Sequence, residues 1–153
     1  MLFWFVGTAY AAVWFVFRDP RFNLRLLAVG ALLPDAVDVW SGGTWVMHSV
    51  VSAVAALALV MLATRGRKPS RPALLALPIG MFMHLVFDGV FARTEAFWWP
   101  LAGTSFGTDR LPSFDRGWVN VPLEVTGVLL ALWVGRASAA ARDDGRTEGA
   151  ATC

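Results

Sequence analysis

The chain has 153 residues, of which 57% are hydrophobic and 16% charged, with a net charge of +2 and a mean hydropathy of +0.57. Length alone points to one domain, and the apolar excess, blocked into segments, excludes an ordinary soluble domain and indicates transmembrane helices. The arginines sit in short runs flanking those segments, without the aromatic-plus-basic pattern of a nucleic-acid groove, so no nucleic-acid partner is expected.

The first predicted helix is Leu2–Phe17, ended by Arg18-Asp19-Pro20. No positive charge precedes its apolar run and no clear small-residue cleavage site follows. It is therefore expected to be an uncleaved helix with its N-terminus outward. The second is Leu24–Trp40, interrupted by Gly30 and Pro34, and the third is Trp45–Thr64, ended by Arg65-Gly66-Arg67-Lys68-Pro69. The fourth is Pro72–Phe91, with Pro78 and Gly80 inside, and the fifth is Val121–Val134. Each internal proline removes a backbone hydrogen bond, so kinks are expected at both. The connection 92–120 carries Phe97-Trp98-Trp99-Pro100 and then a Gly/Ser/Pro-rich stretch. Loops of this length are usually functional, and this one is expected to gate a site or dock a protein partner. The stretch 136–153 is small, polar and charged, which predicts a disordered cytosolic tail after a helical domain spanning 1–135. Its terminal Cys153 is the single cysteine, which excludes an intrachain disulfide and a Cys-based zinc cluster.

Five crossings with the N-terminus outside place Arg18, Arg21, Arg25, Arg65, Arg67, Lys68, Arg71, Arg136, Arg142 and Arg146 inside, and only Arg93, Arg110 and Arg116 outside. This is the asymmetry of a multi-pass inner-membrane protein, all-α, with the lipid bilayer as its first partner. Trp4, Trp40, Trp45, Trp98, Trp99 and Trp118 then fall near the outer interface, where amphipathic rings prefer to sit.

Within these apolar segments stand Asp35, Asp38, His48, His84, Asp88 and Glu124, including both histidines of the chain. Ionisable groups at membrane depth are costly and usually have partners or a function. Counting about 1.5 Å per helical residue from the inner arginines puts Asp35 roughly 15 Å up, Glu124 roughly 18 Å, Asp38 and His84 roughly 20 Å, and His48 and Asp88 roughly 25 Å. Four segments thus deliver carboxylates or imidazoles into one slab in the outer half of the membrane. Spacing agrees: Asp35 and Asp38 are i,i+3 and His84 and Asp88 are i,i+4, so each pair shares a helix face. Carboxylates with imidazoles suit zinc first, with manganese and magnesium as alternatives. A bound divalent ion would polarise a phosphoryl or carbonyl oxygen and lower the pKa of its water, and a remaining carboxylate such as Glu124 would act as general base. Each residue alone also has a structural explanation: polar glue for His84 and Asp88, a helix cap for Asp35, an interfacial histidine for His48, and a helix-dipole partner for Glu124. The case rests on the set.

The runs Gly30-Ala31-Leu32-Leu33-Pro34-Asp35-Ala36-Val37-Asp38, His48-Ser49, His84-Leu85-Val86-Phe87-Asp88 and Phe97-Trp98-Trp99-Pro100-Leu101 resemble bacterial and archaeal membrane-bound metal-dependent hydrolases. The resemblance covers residues 28–103. It implies a multi-helix membrane protein with Asp35, Asp38, His48, His84 and Asp88 as metal ligands. This chain departs from the pattern in two places. Gly43-Thr44-Trp45 stands where many members carry a further histidine, and Asp-x-x-Asp replaces Asp-x-Asp.

The expected function is hydrolysis of a lipid-like ester or phosphoester at the extracytoplasmic face of the plasma membrane. The alternative is a non-enzymatic membrane subunit whose polar cluster is structural. An ion or proton carrier ranks last, because the inner halves of these segments are nearly all apolar.

Overall fold

A computed structural model describes residues 1–39, 46–66, 70–92, 97–101, 103 and 117–151. Among them the chain is helical, with no strand. The helices are α1 (Leu2–Phe17), α2 (Leu24–Asp38), α3 (Val50–Ala63), α4 (Arg71–Asp88) and α5 (Asn120–Ala151), with 3-10 turns at Val46–His48, Val90–Ala92 and Gly117–Val119. Most of the expected gating loop lies outside the described residues, as do Trp40, Trp45, Arg67, Lys68 and Cys153.

Local chemistry sets the helix ends. Arg18 adopts a left-handed conformation (φ 48°), and its N–H closes α1 on the Trp14 carbonyl. The Asn23 side chain accepts the Leu26 N–H at 3.1 Å and starts α2. The third predicted helix is divided. Ser49 is extended (φ −94°, ψ 147°) and its hydroxyl accepts the Ser52 N–H at 3.2 Å, so α3 begins after Ser49 and His48 falls in the preceding turn. The fourth stops earlier than expected, at Gly89, which takes the left-handed conformation (φ 77°) that favours glycine at a helix end. The fifth is much longer than expected. Instead of a loose tail from 136, the backbone stays helical to Ala151. The Ala139-Ala140-Ala141 run has high helix propensity, and Arg142 Nε donates to the Pro20 carbonyl at 2.6 Å.

Contacts between helices give their directions. Phe3 meets Glu124, Gly7 meets Gly127 and Pro20 meets Arg142, so α1 and α5 run parallel. Leu24 and Arg25 share a cavity with Pro72 and Ala73 at one end, Gly30 meets Leu77, and Asp35 meets His84 at the other end, so α2 and α4 are parallel too. The α3 helix runs opposite to α4. His48 faces His84 at one end, and Arg71 donates to the Thr64 hydroxyl (3.3 Å) and carbonyl (3.1 Å) at the other. Basic residues therefore gather at one end of the bundle and both histidines at the other.

Two glycine contacts hold the bundle close. A Cβ at Gly30 would collide with the backbone at Leu77, and one at Gly80 with the backbone of Leu27 and Ala31. Gly7 and Gly127 stand in the same relation between α1 and α5. Small residues at crossings of this kind let apolar helices approach closely enough for dispersion contacts. Phe5, Ala9, Val13, Leu27, Ala31 and Ala76 form the main core, and Ala53, Met81 and Leu85 form a second between α3 and α4.

Among the described residues two stretches, Arg71–Asp88 and Gly117–Asp144, are long and apolar enough to cross a membrane, while Leu2–Phe17 and Val50–Ala63 are apolar but shorter. Only 11% of the apolar window in Gly117–Asp144 is buried. Val121, Val125, Leu129 and Trp133, spaced four apart, are each more than half exposed.

Replacing Gly80 by valine is expected to cost about 3 kcal/mol or more through overpacking, read as a lower unfolding midpoint of the purified chain. Gly135 has open space around its Cβ position. Gly135→Ala in the same assay is expected to be neutral or stabilising by about 0.5–1 kcal/mol.

Candidate metal centre

Three of the five expected ligands converge. Asp35 Oδ1 is 3.4 Å from His48 Nε2 and 3.5 Å from His84 Nε2, and all three atoms lie within 4.8 Å of one another. Each comes from a different element. Asp35 is near the end of α2, just after Pro34. His48 ends the Val46–His48 turn, and His84 is one turn past Gly80 on α4.

Both imidazoles are fixed from behind. His48 Nδ1 is 2.6 Å from Asp38 Oδ2, and both residues are fully buried. His84 Nδ1 is 2.7 Å from the Ala31 carbonyl oxygen. A carbonyl only accepts, so His84 must donate from Nδ1, and the carboxylate at His48 favours the same tautomer. Each ring therefore turns an Nε2 lone pair toward Asp35. A helical carbonyl keeps a second lone pair beyond the one used in the helix ladder, and that of Ala31 takes the His84 N–H.

The turn that carries His48 is itself pinned. The Met47 N–H points to Asp38 Oδ1 at 3.4 Å, Ser52 Oγ donates to the Met47 carbonyl at 3.1 Å, and Ser49 Oγ donates to the Val46 carbonyl at 2.8 Å. From α1, Phe5 lies over His84 with ring centroids 4.0 Å apart. Both histidine side chains are fully buried, whereas that of Asp35 is 20% exposed, so the centre meets the surface at Asp35.

Asp35 Oδ1, His48 Nε2 and His84 Nε2 are buried without a hydrogen-bond partner among the described residues. Each such atom costs roughly 1–3 kcal/mol. With both rings neutral, three acceptors aimed at one point would repel one another, and a cation between them would remove both costs; a protonated ring would instead donate from Nε2 to Asp35. Ligand atoms on a tetrahedral zinc with bonds of about 2.0–2.1 Å stand roughly 3.3–3.4 Å apart. The two Asp35–histidine separations, 3.4 and 3.5 Å, match that edge. Two imidazoles and a carboxylate also form a donor set suited to zinc.

The other expected residues have different positions. Asp38 stands behind His48 as its hydrogen-bond partner, the position from which a carboxylate orients a metal-binding histidine. Asp88 is buried at the end of α4, one turn beyond His84 on the same helix face. Glu124 is not among the converging donors. Its Oε2 accepts the Phe3 N–H at 2.7 Å and its Oε1 is 3.6 Å from the Met1 ammonium, so it caps the start of α1. Ala31 and Phe5 also shape the centre without any advance sign in the sequence, since one acts through a carbonyl and the other through ring contact. Ser49 did carry a signal, as an N-cap residue directly before an apolar run. No protein-family model, curated protein or solved structure matches this chain.

Asp38→Asn is expected to weaken zinc affinity roughly 10- to 100-fold, the usual cost of losing a carboxylate behind a histidine ligand. Competition with a calibrated chelator measures it. Glu124→Gln should leave the affinity unchanged in the same titration.

Proposed function

We propose that this chain is a multi-pass membrane protein, N-terminus outside, that holds one divalent metal ion, zinc first, at Asp35, His48 and His84. We propose further that it hydrolyses a lipid-like ester or phosphoester at the extracytoplasmic face. The observation that carries the reading is the convergence of three partnerless buried acceptors whose histidine rings are already oriented from behind. The exposed apolar face of α5 and the gathering of basic residues at the opposite end of the bundle support the membrane placement. Helices shorter than the roughly 20 residues of a full span are accommodated by local thinning of the bilayer.

When bound, such an ion supplies Lewis acidity toward a phosphoryl or carbonyl oxygen and acidifies its water. The chain's own residues do the rest. Asp38 and the Ala31 carbonyl hold the two rings in one tautomer and one orientation. Phe5 covers His84 and keeps water from that side. Asp35, the exposed member, marks the side from which substrate arrives. Asp88 adds a second carboxylate on the His84 face of α4. The resemblance to membrane-bound metal-dependent hydrolases points the same way, and the missing further histidine accords with a single-ion centre.

A second reading is favoured by one observation. The cluster joins α2, α4 and the turn before α3 through fully buried histidines. Protonated imidazoles donating to Asp35 would make it a structural lock in a non-enzymatic subunit.

Elemental analysis of gently purified protein separates the two. One zinc, manganese or magnesium ion per chain, lost in His84→Ala, is expected for the metal centre. A metal-free wild type would establish the lock. With metal present, hydrolysis of fluorogenic ester and phosphodiester lipids in mixed micelles is expected, and should be abolished by Asp35→Asn. A metal-loaded protein inert toward both classes would remove the hydrolase assignment.

A further inference from the structure

Two cavities lie away from the metal centre. One, about 310 Å³, is a groove between α1, α3 and α4, lined only by apolar side chains, among them Val13, Val54, Leu57 and Met83. The other, about 1000 Å³, lies at the basic end of the bundle and carries Arg21, Arg25 and Arg142 together with apolar Phe22 and Leu24. Phe17 and Ile79 line both, so the two form one continuous surface, cationic at the rim and apolar along its length.

The charge at the rim is open to an anion. Arg21 and Arg25 are exposed, and neither forms an ion pair with another described residue. The acid in the same cavity, Asp19, uses its Oδ1 to accept the Arg21 backbone N–H at 2.8 Å. Arg142 is held over the cavity by its bond to the Pro20 carbonyl, which leaves the terminal guanidinium nitrogens to donate elsewhere. Arginine is the side chain best shaped for a phosphate oxygen pair. The groove falls in the size range of small-molecule sites, and its lining offers no polar atom to a polar ligand. The ligand complementary to both parts is anionic at one end and a hydrocarbon chain at the other.

We infer that this surface binds an anionic phospholipid of the inner leaflet, its phosphate at Arg21, Arg25 and Arg142 and one acyl chain along the groove between α1, α3 and α4. The inference rests on the membrane placement proposed above and is independent of the metal centre at the opposite end. Basic pockets between helices on the cytoplasmic side are a known setting for acidic headgroups. The lipid would bridge the α1–α2 turn, the start of α4 and the extension of α5, acting as a clamp on the inner end of the bundle.

The test uses the full chain in detergent, stripped of lipid, with thermal unfolding and native mass spectrometry as readouts. Phosphatidylglycerol is expected to bind on the order of tenfold tighter than phosphatidylcholine with the same acyl chains and to raise the unfolding midpoint accordingly. Inorganic phosphate alone is expected to do neither. The Arg21→Gln/Arg25→Gln variant should lose the preference while still binding phosphatidylcholine as the wild type does. Equal response to the two lipids, or full preference retained by the double variant, would overturn the proposal. So would a stabilisation reproduced by inorganic phosphate, which would reveal an anion site without a chain. The wild-type comparison decides alone if the variant fails to fold. Recovery of the chain in the soluble fraction without detergent would instead overturn the membrane placement. A membrane-extracted protein with no lipid preference overturns only the clamp.

Discussion

The close approach of α2 and α4 at Gly30 and Gly80 is the constraint on which the rest of the structure depends. With no Cβ on either residue, the two backbones touch. That contact sets the distance from Ala31 to His84, and the 2.7 Å hydrogen bond between them follows from it. Once His84 is fixed, its Nε2 has one direction to face, and Asp35, one turn beyond Ala31 on α2, stands there. The chemistry of the site thus begins with two absent methyl groups one helical turn below it.

Polar groups in this bundle are arranged in layers. The carboxylate of Asp38 and the carbonyl of Ala31 hold the imidazoles, and the imidazoles hold the space next to Asp35. Ser49 and Ser52 fix the backbone that delivers His48. Each layer satisfies the one outside it, and at the centre Asp35 Oδ1, His48 Nε2 and His84 Nε2 are left without a hydrogen-bond partner among the described residues. A buried partnerless acceptor is costly, so the centre is relieved either by a cation between the three atoms or by protons on the imidazoles.

Much of this was legible beforehand. Blocked hydropathy located every helix, and the bounds of α1 came out as Leu2–Phe17 from the charges and proline that follow it. The histidines and Asp35 were found from apolar context and spacing. Depth along an axis, however, carries no information on azimuth. Glu124 shares the depth of the histidines but belongs to the α1–α5 contact, and Asp38 faces the back of a ring rather than its front. Telling a ligand from the group behind it requires ring orientation, which spacing does not encode. The tail was misjudged because polar composition outweighed the helix propensity of its alanines, and because the anchor at Pro20 is 122 residues away from Arg142 in the chain.

That anchor and its companion have a temporal side. Phe3 and Glu124 are 121 residues apart, yet α1 and α5 are each other's main neighbours. On the ribosome α1 emerges long before α5 exists. Its Gly7 face must remain unpaired until the partner arrives. The bundle is therefore completed by a late docking event, and a ribosome stalled before α5 would leave α1 with an open seam.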